Sequence, residues 1–116
     1  MSKRLEILEG DAWQGFTQAP LAVLMLGKSD CAACGEWTRE LEDFLATDER
    51  FRDVRFGKIL LDQRGLVSFK RANPWIAELE TLPWNVIFVK GERVKSWAGA
   101  GIDRLVTRLE RAREGA

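Results

Sequence analysis

Leu21-Ala-Val-Leu-Met-Leu-Gly-Lys-Ser-Asp-Cys31-Ala-Ala-Cys34-Gly-Glu-Trp37 is the stretch that decides how this chain is organised. Leu21 to Leu26 is apolar on both faces, as a central parallel strand covered by helices should be. From Ala32 the period switches. Trp37, Leu41, Phe44 and Leu45 recur at i, i+4, i+7 and i+8 and make one apolar helical stripe. Cys34 falls on that stripe, and Cys31 lies off it, one turn earlier, at the helix tip. Periodicity therefore makes Cys34 the more buried thiol and Cys31 the more accessible one. They are the only two cysteines among 116 residues. One helical turn brings the two sulfurs close enough to bond, and the positive end of a helix favours a thiolate there.

On the N-terminal side, Leu5, Ile7 and Leu8 suggest a short opening strand, and Asp11 is placed to cap a short helix ending before Pro20. On the other side, Thr47 to Arg52 reads as a charged loop and Val54 to Leu61 as a second core strand. Asn73-Pro74 interrupts Gly65 to Leu79, which is expected as a short helix, a break, and a helical turn through Trp75, Ile76 and Leu79. Asn85 to Val89 is another strand, Lys90-Gly91-Glu92 a tight turn, and Arg93 to Ala98 the returning arm of a hairpin. After Gly99-Ala100-Gly101, a final helix carries Ile102, Leu105, Val106 and Leu109 on one face. Strands alternating with helices imply parallel βαβ units, and the hairpin adds an antiparallel part. The expected fold class is α/β, a mixed central sheet of four to five strands with helices on both faces. No repeat, low-complexity tract or linker divides the chain, so residues 1–116 are expected to form one domain.

Composition narrows the chemistry. Eighteen basic and eighteen acidic residues cancel, so no strong field draws the chain to nucleic acid or a charged membrane. The longest apolar run is far too short to span a bilayer. Acids interrupt the N-terminal Met-Ser-Lys-Arg-Leu-Glu-Ile-Leu-Glu, so no secretory signal is expected. The expected compartment is the cytosol, where a lone cysteine pair is more often catalytic than structural. There is no histidine and no tyrosine, which removes the usual general base and the commonest metal ligand. Thiols, carboxylates and amines must do whatever chemistry occurs.

Three local signatures resemble the thioredoxin family, and together they span nearly the whole chain. The first is Cys31-x-x-Cys34 at the strand-to-helix turn. The second is Gly57-Lys-Ile-Leu-Leu-Asp-Gln63, similar to the family's strand with an internal lysine followed by Asp-Gln. The third is Leu82-Pro83 before an apolar strand, followed by Lys90-Gly91-Glu92 and Gly99. The resemblance implies a thioredoxin fold, a reversible Cys31–Cys34 disulfide, and a cis peptide at Leu82-Pro83. It implies a substrate strip at Leu82, Pro83 and Trp84, where an extended peptide pairs with backbone. It gives Lys58 as the counterpart of the family's lysine; beside Cys31 itself, the sequence places Lys28 to favour a thiolate and Asp30 and Glu36 to oppose it, with the net sign left open. Protein disulfides are the implied substrates. A flavin-dependent thioredoxin reductase or similar donor is the implied partner, with no resident cofactor or metal, no nucleic acid, no membrane, and a monomeric protein.

The chain departs from the family pattern around the thiols. Met25 replaces the buried acid six residues before Cys31, which leaves Lys58 without its usual neighbour. Gly27 and Asp30 stand where aromatic residues are usual, Ala32-Ala33 replaces Gly-Pro, and Arg39 replaces the helix proline. The segment from Gln63 to Pro83 is longer than usual and carries Trp75.

Redox exchange is the favoured reading of the cysteine pair. A bridge closing four residues contributes only about 2 kcal/mol in the loop-entropy account, which makes it a poor staple. Zinc wants four ligands, and this chain offers two thiolates plus carboxylates unless two copies pool their pairs. A thioredoxin-like interaction module with a cysteine pair that no longer turns over is the alternative from a different class. The five tryptophans read mainly as core, with Trp75 and Trp84 as candidates for the rim around Cys31. Arg104, Arg108 and Arg111 read as one solvated helix face.

Overall fold

An apolar run with no polar position has no face to show to water, and it belongs at the middle of a sheet. In the computed structural model, which describes residues 4–115, Ala22–Gly27 (β2) is buried along its length at the centre of five strands. The N-terminal Met-Ser-Lys of the signal reading, and Ala116 at the end of the expected domain, lie outside the described residues. Arg55–Leu60 (β3) runs parallel to β2, and Leu5–Ile7 (β1) runs parallel to β3. Trp84–Val89 (β4) pairs antiparallel with the other side of β2, and Glu92–Ala98 (β5) closes the hairpin at the edge. The order is β1-β3-β2-β4-β5, a mixed sheet in an α/β fold.

Strand alternation sorts the core into two layers. Val23 and Met25 face one side, where Trp37, Leu41 and Leu45 of Ala32–Thr47 (α2) meet Leu105 and Leu109 of Ile102–Gly115 (α4). Ala22, Leu24 and Leu26 face the other, against Phe16 of Ala12–Thr17 (α1), Phe69 of Val67–Ala72 (α3), and Ile76 in the 3-10 turn Pro74–Glu78. The stripe read from Cys34 through Leu45 is the face that α2 buries, with Phe44 at its margin.

Lys90 (φ 50°) and Gly91 (φ 87°) both adopt positive φ, the two-residue turn whose twist matches a hairpin. The turn is docked rather than free. Lys90 and Gly91 donate their N–H groups to Ala19 and Thr17 carbonyls at 2.9 and 2.7 Å, which ties the hairpin tip to the end of α1.

Several expectations need correction. Thr47 ends α2 and 48–52 form the expected loop, but that loop is not all exposed. Phe51 is buried in the α2/α4 layer, flanked by the guanidinium groups of Arg50 and Arg113. Asp48, just past α2, is buried and accepts hydrogen bonds from the Phe51 N–H and from Arg4. Asp11 precedes α1 but makes no side-chain cap; its carboxylate instead accepts the Ser68 hydroxyl, linking α1 to α3. Arg108 is not a solvated member of an arginine stripe. It is half-buried, with its guanidinium 4.9 Å from the Trp97 ring centroid.

Candidate redox site

β2 runs out of sheet at Gly27, the chain turns through 28–30, and Cys31 takes the N-cap of α2 with extended backbone (φ −101°, ψ 106°). A helix leaves its first N–H groups without partners, and a cap residue supplies an acceptor for one of them. Here the acceptor is sulfur. The Cys34 N–H donates to Cys31 Sγ at 3.1 Å. Cys31 and Cys34 are joined as a disulfide, with Cα atoms 5.2 Å apart. Cys34 is 1% exposed and Cys31 is half-buried, so an attacking group from outside reaches one sulfur and not the other. The same cap hydrogen bond and helix dipole favour a negative charge on Cys31 once the bond opens.

The turn before Cys31 is held from β3. Asp62, two residues past β3, accepts the Ser29 N–H at 3.1 and 3.3 Å through its two oxygens and also accepts the Ser29 hydroxyl. The Ser29 hydroxyl, the Ser29 N–H and the nearby Lys28 charge hold the Asp62 carboxyl below its ordinary range. The neighbouring Gln63 amide donates to the Leu8 carbonyl at 3.2 Å. The Asp-Gln pair is thus a clamp, one residue on the redox turn and one on the strand-end beside it.

The floor beneath the disulfide is uncharged. A Cβ built on Gly27 would lie 3.0 Å from Cys34 Cβ, 3.1 Å from Cys34 Sγ and 3.5 Å from Met25 Sδ. Glycine at 27 is therefore a close-approach requirement: the second cysteine rests on bare backbone. Met25 is fully buried, opposite Lys58 on β3 and Asn85 on β4. Lys58 is half-buried and has no carboxylate partner among the described residues. Asn85, 1% exposed, carries the buried polar function of this layer. It accepts the Trp37 indole N–H at 2.8 Å and donates its amide to the Gly99 and Trp97 carbonyls at 2.8 and 3.4 Å. All three amide hydrogen-bonding positions engaged here are protein-satisfied. Sequence reading passed over Asn85. Its signal was one amide in the otherwise apolar run Trp84-Asn-Val-Ile-Phe-Val.

The Leu82-Pro83 peptide is cis. Trp84 pairs with Leu26, so Pro83 is level with Gly27 and leaves the sheet at the edge from which the turn to Cys31 departs. The Pro83 carbonyl accepts the Gly99 N–H at 2.9 Å, while Leu82 and Trp84 are half-buried against the α1/α3 layer. Lys28 and Asp30 flank Ser29 in the turn and are exposed. Trp75 belongs elsewhere: the Arg93 guanidinium stacks 4.3 Å from its ring centroid, and Arg93 pairs with Phe88. Phe88 is four residues along β4 from Trp84, about 13 Å at strand rise. The structure therefore places Trp75 beneath the hairpin and leaves Trp84 as the tryptophan at the cysteine end.

No protein-family model and no curated protein matches this sequence. Solved structures do match its architecture. Thioredoxin Mala s 13 of Malassezia sympodialis superposes with a TM-score of 0.75 at 15% identity, over 95% of this chain and 91% of the other. Spinach chloroplast thioredoxin f, short form, gives 0.74 at 22% identity, over 94% and 93%. A thioredoxin f2 structure solved with ferredoxin:thioredoxin reductase gives 0.72 at 18% identity, over 97% and 99%. These superpositions give this chain the thioredoxin fold, and at the head of α2 it carries a Cys-x-x-Cys disulfide.

Proposed function

We propose that this protein is a thiol–disulfide oxidoreductase acting on protein disulfides, folded as one domain over 1–116. The carrying observation is the asymmetry of the Cys31–Cys34 disulfide at a helix N-terminus, one sulfur reachable and one buried. In the reductive direction the Cys31 thiolate attacks one sulfur of a target disulfide. That bond breaks, a mixed disulfide forms, and the target's other sulfur leaves as a thiolate. Cys34 then loses its proton and attacks Cys31 Sγ. The 31–34 bond forms, and the target leaves as a dithiol carrying two electrons. Met25 has no titratable group to take the Cys34 proton; the two thiolates released from the target take up two protons, that one and one from solvent. Lys28 and Lys58 favour the thiolate form electrostatically, and Asp30 opposes it. Leu82, Pro83 and Trp84 supply the strip on which an extended target segment lies.

A dithiol donor must reopen the disulfide for turnover. The reductase bound to thioredoxin f2 supports a reductase partner for this protein, and the reading includes a monomer working in a reducing cytosol. No helix among the described residues is long and apolar enough to cross a membrane. The test is dithiothreitol-driven reduction of insulin by wild type, Cys31→Ser and Cys34→Ser. Wild type is expected to turn over, and Cys34→Ser to accumulate a mixed disulfide. The uncharged floor at Met25 favours one second reading, a binding module whose pair stays closed. Wild type no faster than Cys31→Ser establishes that reading instead.

A further inference from the structure

β5 is the outer strand on its side of the sheet: it pairs with β4 alone. Its other edge offers backbone N–H and C=O groups to any chain that can lie beside it. Glu92, Lys95 and Trp97 share the α4 side, because they pair with Val89, Ile87 and Asn85; the bulge at Val94, between the Lys95 and Arg93 pairings, is what brings Glu92 and Lys95 to one face. There, between β5 and the C-terminal half of α4, lies a groove of about 460 Å³. Val89, Val94 and Ala112 give it apolar walls, and Lys95, Arg108 and Arg111 bring three cations to it against one acid, Glu92. No carboxylate of the described residues pairs with any of the three cations.

Arg108 is pre-positioned. Its guanidinium lies over the Trp97 ring, its Nε is buried without a hydrogen-bond partner, and Nη1 makes one long contact (3.5 Å) to the Arg104 carbonyl. A buried donor without an acceptor is costly, and the exposed remainder of the guanidinium is free to meet an incoming carboxylate. The groove opens at the hairpin end of β5, whereas Pro83 and the turn to Cys31 lie level with its other end, at Ala98. A partner seated there leaves the disulfide uncovered.

We infer that this groove docks an acidic, extended segment of a partner protein, which adds to the β5 edge as a sixth strand. Side chains of an added strand alternate, so acids at every second position meet Lys95, Arg108 and Arg111 while backbone pairs with β5. This proposal does not depend on the disulfide turning over.

The probe is a fluorescein-labelled Glu-Val-Glu-Val-Glu-Val peptide titrated with the full chain, with Lys-Val-Lys-Val-Lys-Val as control, followed by anisotropy. Saturable binding of the acidic peptide alone is expected, weakening as salt rises. The Lys95→Glu and Arg111→Glu variants, both surface changes, are each expected to weaken it roughly tenfold, the loss of one charge-assisted contact. Amide NMR shifts are expected to concentrate at 92–95 and 108–115. Insulin reduction by these variants is expected to match wild type. Equal binding of both peptides, binding that survives Lys95→Glu with Arg111→Glu, or shifts confined to the Cys31 end each overturn the proposal. So does displacement of the peptide by self-association of the chain.

Discussion

Met25 sits fully buried between Lys58 and Asn85, within reach of the bare backbone at Gly27 on which Cys34 rests. A thioether there is soft and apolar, and it leaves the second cysteine without a neighbouring proton acceptor. Met25→Asp introduces one. Burial raises a carboxyl pKa, so the new group stays protonated well above the ordinary carboxylate range near 4. A folded pKa above the unfolded one means that stability is retained at low pH and lost as pH rises from about 4 through the raised value. The variant is expected to show that loss in urea unfolding, and to add a new inflection to the pH profile of insulin reduction. Superimposable profiles for variant and parent sink the assignment of Met25 to the floor of the exchange site. The cysteines themselves were legible because period and uniqueness marked them. Gly27 and Asn85 were not legible as parts of the site, because their roles come from approaches between strands and α2 that no local window contains. The place of Trp75 beneath the hairpin is illegible for a related reason: a long loop shows its composition but not the guanidinium that captures it.

At the scale of elements, α2 is fastened at its C-terminal end and along its buried face by polar side chains, Asp48 and Asn85, that sequence patterning does not single out. Its C-terminal end runs into Asp48, whose carboxyl is pushed up by burial. Hydrogen bonds from the Phe51 N–H, Arg4 and the Arg50 N–H outweigh that burial and hold it below the usual range. The depressed pKa makes the carboxylate's contribution present above about 4, the unfolded value, and lost as pH falls through the folded one. Asp48→Asn is therefore expected to cost about 1–3 kcal/mol at neutral pH. It is also expected to flatten the acid limb of stability against pH, read by urea titration between neutrality and strong acid. An acid limb as steep as the parent's counts against this clamp. Along its buried face, α2 is tied to β4 by the Trp37–Asn85 bond. Asn85→Leu keeps the volume but strands the indole N–H, and a loss of about 1–3 kcal/mol is expected in the same titration. An unchanged midpoint shows that the indole finds another acceptor. Strands and long helices were readable here because their periods are intrinsic to the chain. The burial of Asp48 and Phe51 was not, since a charged window looks solvated until Arg4, from the start of the chain, arrives beside it.

Across the whole molecule, stability rests on the two apolar layers rather than on the sulfur bridge. Each layer is continuous from the sheet into its helices, and neither uses the Cys31–Cys34 bond to connect distant parts of the chain. A bridge between residues three apart removes little freedom from the unfolded chain, about 2 kcal/mol in the loop-entropy account. Cys31 also lies at the edge of the core, so opening the bond leaves the packing of Trp37, Leu41 and Leu45 intact. That combination is what reversible exchange requires, since a protein that cycles between two redox states must stay folded in both. Reduction with excess dithiothreitol is therefore expected to leave the far-ultraviolet circular dichroism unchanged and to lower the unfolding free energy by no more than about 2 kcal/mol. The reduced wild type and the Cys31→Ser/Cys34→Ser double variant are expected to unfold at the same urea concentration. A reduced protein that loses its cooperative transition makes the bond a structural clasp, and the oxidoreductase reading falls with it.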